Sequence, residues 1–225
     1  MSISDLMPLY LSLRLALTAT FIGMLIGLPI AWFLGNTKWK GREVLDSLIS
    51  IPMVLPPTVL GYYLLIVLGR NSWIGNLAEK FGIPLVFTTR GAIIAATVVS
   101  VPFFIKTARS SIEGIPSNLL DAARVLGRTE FNIFFSVVIP NAWKGIAAGL
   151  VLMFARALGD FGTTLMVSGG IPGETLTMPI AIYNAMLAGD QLTANRLALI
   201  MAGTALLVLV LINVLNRQVG RGGNR

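Results

Sequence analysis

A helix needs about 20 apolar residues to cross roughly 30 Å of hydrocarbon. This chain meets or nearly meets that length in five stretches, at approximately 9–34, 48–68, 91–108, 142–167 and 197–215. A soluble domain needs a skin of roughly 25–35% charged residues, whereas only 12% of this chain is charged and 55% is hydrophobic. The expected fold class is an all-α polytopic membrane protein, with residues 1–225 forming a single transmembrane domain. The first run is read as a retained span. It lacks a basic leader, exceeds the usual signal-peptide core, and ends at Lys38-Trp39-Lys40 where a cleavage site would need small residues.

The net charge of +7 could serve nucleic acid, so the placement of the cations decides its meaning. They fall between the apolar runs: Lys38, Lys40 and Arg42 in one connector, Lys106, Arg109, Arg124, Arg128 and Lys144 in another, and Arg217, Arg221 and Arg225 in the tail. That is the positive-inside pattern. It puts these segments in the cytoplasm, the N-terminus in the periplasm and the C-terminus in the cytoplasm of a bacterial inner-membrane protein. No basic face is interleaved with aromatics, so no nucleic-acid partner is expected. Residues 179–187 are expected to form a short helix on the outer side.

Cysteine and histidine are both absent, which removes thiol metal sites and the commonest general base. No G-x-x-x-x-G-K-[ST] is present, so any ATP must be bound elsewhere. No catalytic residue and no metal ligand is assigned. A secondary transporter would ordinarily show paired intramembrane ionisable groups and an internal repeat; only Asp160 is a clear membrane carboxylate, and no repeat is visible.

Gly23 and Gly27, Gly145 and Gly149, and Ala155 and Gly159 have the small-xxx-small spacing that lets helix backbones approach closely. Prolines interrupt the second run at Pro52, Pro56 and Pro57, each removing a backbone donor that lipid cannot replace. The stretch Pro56-Pro57-Thr58 is either a structural kink or part of the lining of a cargo path. Arg156 and Asp160, four apart in the fourth run, are either an internal ion pair that fixes packing or groups on that path.

Between the third and fourth runs, Pro116 to Gly127 reads as one short helix. Ser117 or Asn118 can cap its start, Asp121 can answer the free amides, and Gly127 supplies a left-handed stop. Leu119, Ala122, Ala123 and Leu126 are predicted to form one narrow apolar face. A helix this short is marginal alone in water, so something must hold it.

These residues resemble the EAA loop of ABC importer permeases, a pattern written roughly E-A-A-x3-G-x9-I-x-L-P. Asp121-Ala122-Ala123, Gly127 and Val137-Val138-Ile139-Pro140 follow it at the same spacing, with Asp for Glu, Val for Ile and Ile for Leu. At finer grain the chain is similar to the molybdate branch through Leu55 to Tyr62, Phe154 to Gly162 and Ile171 to Thr177. Sulfate permeases share much of these stretches.

The resemblance implies a type I importer permease with about five spans and a cytoplasmic coupling helix within loop 117–140. Leu119, Asp121, Ala122, Ala123, Gly127 and Pro140 would couple it to the ATPase. It implies a second permease copy, two cytoplasmic ABC ATPases that carry the ATP and magnesium, and a periplasmic molybdate-binding protein. This chain itself would bind no cofactor. Residues Ser168 to Thr177 form either a docking surface for that binding protein or a solvated loop. Tungstate or sulfate is the alternative cargo, and a secondary transporter the rival class.

Overall fold

The computed structural model describes residues 3–37 and 39–222, and side-chain environments for residues 6–37 and 39–210. Lys38 and Arg225, read above as cytoplasmic cations, lie outside the described residues, as do the side chains of Arg217 and Arg221.

Helix α1 (Ile3–Asn36) leads through a short turn into α2 (Arg42–Val54), and α3 (Pro57–Leu68) follows. After α4 (Trp73–Lys80) comes α5 (Thr89–Glu113), then the short α6 (Ser117–Val125) and α7 (Glu130–Ile133). A π-helical turn (Phe134–Val138) opens α8 (Ile139–Leu158), followed by α9 (Gly162–Ser168), α10 (Met178–Leu187) and α11 (Gln191–Gly222). Among the described residues four helical stretches are long and apolar enough to cross a membrane, and α2 with α3 makes a fifth if the bent pair counts as one span.

Helix α5 is the centre of the bundle, packed against α1 on one side and α8 on the other. Small residues make this approach possible. A Cβ on Gly23 of α1 would lie 1.8 Å from Met153 Cε, and one on Gly145 of α8 would lie 2.2 Å from Ser111 Cβ. The small-residue spacing therefore marks helix contacts at these two pairs, while Gly159 of the third pair meets only its own helix, at the carbonyl of Ala155. Phe104, Ile105, Ala108 and Ile112 of α5 fill the main core with Ala31, Leu34 and Met153.

Run 48–68 is interrupted where its prolines stand: α2 and α3 meet at a bend of 112° across Leu55 and Pro56. One expectation about the spans needs correction: run 142–167 is not one helix, because α8 stops at Leu158 and α9 begins at Gly162. A span-length average of hydropathy passes over both breaks, because it cannot report where backbone hydrogen bonds stop.

Pro140 also has a visible local effect. Lacking an N–H, it cannot donate back along the helix. The chain widens by one residue just ahead of it, so that Ile139 N–H donates to Phe134 O. Pro140 then sits in the first turn of α8, where a missing donor costs little.

Candidate functional site

Helix α6 starts differently from expectation. Neither Ser117 nor Asn118 caps it; Pro116 occupies the capping position at φ −57° and ψ 128°, with no side-chain cap bond. The ring fixes φ and sets the extended geometry from which Ser117 already enters the helix. The stop is a Schellman turn: Gly127 N–H donates to Arg124 O at 2.9 Å and Arg128 N–H to Ala123 O at 3.1 Å. Gly127 holds φ +74°, a conformation that other L-residues adopt only with strain.

The predicted apolar face of α6 is split. Leu120 and Ala123 turn inward and join the main core, whereas Leu119, Ala122, Val125 and Leu126 are exposed. Ala123 therefore anchors the helix instead of facing outward with Ala122. Leu120 lies one turn before it on the same side of the helix, at i,i+3 spacing, and joins the same core. Val125 is 87% and Leu126 79% exposed, so α6 presents an apolar ridge at the end of the bundle.

Asp121 does not answer free amides; it accepts from Arg124 Nη1 at 3.0 Å. Arg124 gathers three elements at this end. Its Nε donates to Glu130 at 2.8 Å and its Nη2 to Asn36 Oδ1, at the end of α1, at 3.3 Å. The hydrogen bond to Glu130, seconded by that to Asp121, holds this guanidinium's pKa above its ordinary value. From sequence Arg124 was only one of the interior cations.

An ionic clasp joins α2 to α5 at the same end. Arg42 pairs with Glu113, Arg109 with Glu113 at 2.9 Å and with Asp46 at 2.7 Å, and Lys106 with Asp46. Glu113 is the last residue of α5, and Gly114-Ile115-Pro116 connects it directly to α6. The clasp thus ties the helix that feeds α6 to the helix that leads into the bend at Pro56. The pairs that cross from α2 to α5 join residues sixty or more positions apart, and only the basic members stand out from sequence.

The two helix breaks meet. Thr163 Oγ1 donates to Pro57 O at 3.1 Å. A Cβ on Gly162 would lie 3.1 Å from Pro57 Cβ, and one on Gly61 would lie 2.7 Å from Met166 Cβ and 3.0 Å from Thr163 Cα. Pro56, Pro57 and Thr58 remain exposed on the other side.

Asp160 is buried at 2% exposure and saturated. Its Oδ2 accepts from Thr164 N at 2.9 Å and Thr164 Oγ1 at 2.7 Å, and its Oδ1 from Arg156 Nη1 at 3.3 Å. It caps the first turn of α9 across the break. Arg156 is about a quarter exposed and gives Asp160 only that one longer bond.

At the opposite end, the loop from Ser168 to Thr177 is held closed by Thr175, which donates to Ser168 O and accepts from Ile171 N. Its tip, Ile171 to Glu174, is exposed, as is Gly169. Among the described residues no cluster of acidic side chains suits a metal ion.

Comparison with known proteins places this geometry. The family described as "Binding-protein-dependent transport system inner membrane component" matches residues 27–221. The molybdenum transport system permease protein ModB of Escherichia coli K12 is 39% identical over 203 residues, covering 89% of each chain. That of Haemophilus influenzae is 35% identical over 217 residues, covering 96% of this chain and 95% of the relative. A probable sulfate transport system permease protein cysT of Chlorella vulgaris is 34% identical over 203 residues, covering 90% of this chain and 76% of its own.

In structure, a chain of a bacterial ABC transporter importing alginate superposes with a TM-score of 0.80 at 17% identity, covering 97% of this chain and 81% of that one. A chain of the inward-facing MetNI methionine ABC transporter superposes at 0.74 and 19% identity, covering 97% and 95%. The chain therefore belongs to the binding-protein-dependent transport system inner membrane component family, and is a multi-pass inner-membrane permease with the all-helical fold of type I ABC importers.

Proposed function

We propose that this chain is the membrane-spanning subunit of an ATP-driven importer of molybdate, working as two copies with two cytoplasmic ATPases and a periplasmic molybdate-binding protein. The observation that carries this reading is α6: a short helix, anchored by Leu120 and Ala123, that offers an outward apolar ridge and ends on the left-handed Gly127. An exposed ridge of this kind needs a groove on a partner. A nucleotide-hydrolysing subunit fits, because the chain has no phosphate-binding loop of its own. In this reading ATP and magnesium belong to that subunit, the α6 end faces the cytoplasm, and both the N-terminus and the Ile171 to Glu174 tip face the periplasm.

Movement of α6 is carried through Glu113 and the clasp to α2, and from there to the bend at Pro56 and its contact with α9. Pro56, Pro57, Thr58 and Arg156 border the path. Arg156 meets the passing oxyanion, while Asp160 limits how tightly the cation holds it, since a conduit must let its cargo leave. Molybdate is favoured by the likeness to the bacterial molybdenum permeases. Sulfate is the second reading, supported by the algal relative, and tungstate has the same shape and charge as molybdate.

The test is the reconstituted complex with its binding protein. Gly127→Val forces a β-branched residue into φ +74° at about 1–2 kcal/mol of local strain. It is expected to leave the protein in the membrane and to lower uptake per ATP hydrolysed several-fold. Unchanged coupling removes α6 from the mechanism. ATPase stimulation compared across molybdate, tungstate and sulfate fixes the cargo, and stimulation by sulfate alone overturns molybdate.

A further inference from the structure

Helix α4 has a face that nothing in the transport mechanism uses. Trp73, Ile74, Leu77 and Phe81 follow one another at helical spacing and are all exposed, Trp73 at 79% and Phe81 at 74%. Asn76 and Glu79 lie around the other side of the helix, Lys80 flanks the stripe next to Trp73, and all three are exposed. A soluble surface helix buries its apolar stripe; here the stripe points away from the protein.

Position decides what covers it. Helix α3 ends at Leu68, and only Gly69 to Ser72 separate it from Trp73. The fold-back is tight, because a Cβ on Gly75 would lie 2.0 Å from Gly69 O. Helix α4 therefore cannot stand off from the end of an apolar span. Its start is fixed by Ser72, whose hydroxyl accepts from Gly75 N at 2.8 Å.

The same level of the bundle carries other marks of a membrane boundary. Leu15 and Ala16 of α1 share a core cluster with Ala92 of α5, which brings the exposed Arg14 level with the exposed Arg90. Tyr10 is exposed one turn before Arg14. Aromatic and cationic side chains gather at the headgroup layer, where a ring or an aliphatic stem can sit in apolar surroundings with its polar tip in water.

We propose that α4 is a membrane-surface helix, lying in the headgroup layer of the leaflet opposite α6. Trp73, Ile74, Leu77 and Phe81 rest in the acyl boundary, Asn76 and Glu79 face water, and Lys80 at the edge of the stripe reaches its ammonium out to the headgroups. Its partner is phospholipid, and its place is that of an interfacial amphipathic helix. It holds the far end of α3 at a fixed depth, which leaves the Pro56 end of α3 as the end free to move. The lipid contact rests only on the membrane location of the chain and stands whatever cargo is carried.

The absence of cysteine makes the test direct. Trp73→Cys, Asn76→Cys, Leu77→Cys, Glu79→Cys and Phe81→Cys each carry a single nitroxide in the full transporter, reconstituted in phosphatidylethanolamine and phosphatidylglycerol vesicles. Collision rates are compared for oxygen, which concentrates in lipid, and for a water-soluble nickel chelate. Labels at 73, 77 and 81 are expected to favour oxygen several-fold, at shallow depth, with 76 and 79 favouring nickel. Nickel access at 73, 77 and 81 equal to that at 76 and 79 would place the helix in water and overturn the proposal. Shielding of 73, 77 and 81 from both reagents would overturn it too, since a second copy or a binding protein then covers the face.

Discussion

The interruptions at Leu55–Pro56 and at Gly159–Phe161 bend the chain by different means. At the first, covalent chemistry is enough: Pro56 and Pro57 have no N–H to offer, so the ladder of α2 ends and α3 restarts with a proline in its first turn. Its residues stay largely exposed, and the bend reaches 112°. The second break contains no proline. It is held open by a buried carboxylate that binds Thr164 on the far side and Arg156 on the near side. One break is built into the backbone, and the other depends on three hydrogen bonds that lipid could not replace. The first should therefore tolerate changes of side chain, and the second should not.

The largest expected effect follows from removing Asp160. Asp160→Ala leaves the Thr164 amide and hydroxyl and the Arg156 cation without their shared acceptor, at about 3–5 kcal/mol. A clear loss of thermal stability in detergent is expected, with Asp160→Asn losing less because the amide oxygen still accepts from Thr164. Equal stability of Asp160→Ala and the parent protein would show that the second break is as self-sufficient as the first.

Next comes the contact between the breaks. Gly61→Val pushes a side chain against Met166 and the Thr163 backbone, an overpacking worth about 1–3 kcal/mol. It should reduce transport more than membrane insertion, measured as uptake per assembled complex. Loss of both in proportion would mean that α3 and α9 touch only to fold.

Thr163→Val is milder. It keeps the shape and deletes the hydrogen bond to Pro57 O, an effect of about 1 kcal/mol, read as a shift of a few degrees in the melting midpoint. The smallest effect belongs to Pro56→Ala. With Pro57 still in place to end the ladder, the bend should survive, and cysteine pairs placed across it should crosslink as before. A straightened α2–α3 would refute the view that the first break is covalent in origin.

How much was legible beforehand follows the same division. The apolar runs, the prolines and the spacing from Asp121 to Pro140 are properties of consecutive residues, so they could be read directly. Gly127's left-handed turn was equally readable, because glycine after a short helix has a local reason to adopt it. Asp160 was noticed as a membrane charge but not as a helix break. Its partners lie within four positions, yet an average over 142–167 passes over a single charge and does not show that the helix stops there. The start of α6 was misassigned to Ser117 or Asn118 because both are good caps, and the geometry of Pro116 overrode them.

What the sequence by itself determined is the membrane, the number of long apolar stretches and the position of the short helix between α5 and α8. Each of these follows from the solvent a residue prefers or from the dihedrals its neighbours allow. Only the tertiary structure decided which side of α6 is anchored, which acid meets which base between α2 and α5, and that the two breaks touch. Those contacts join residues from about thirty to more than a hundred positions apart, and no local preference encodes them. They are chosen when helices held apart in sequence are packed at glycine-sized distances, and when buried polar groups must then find their partners.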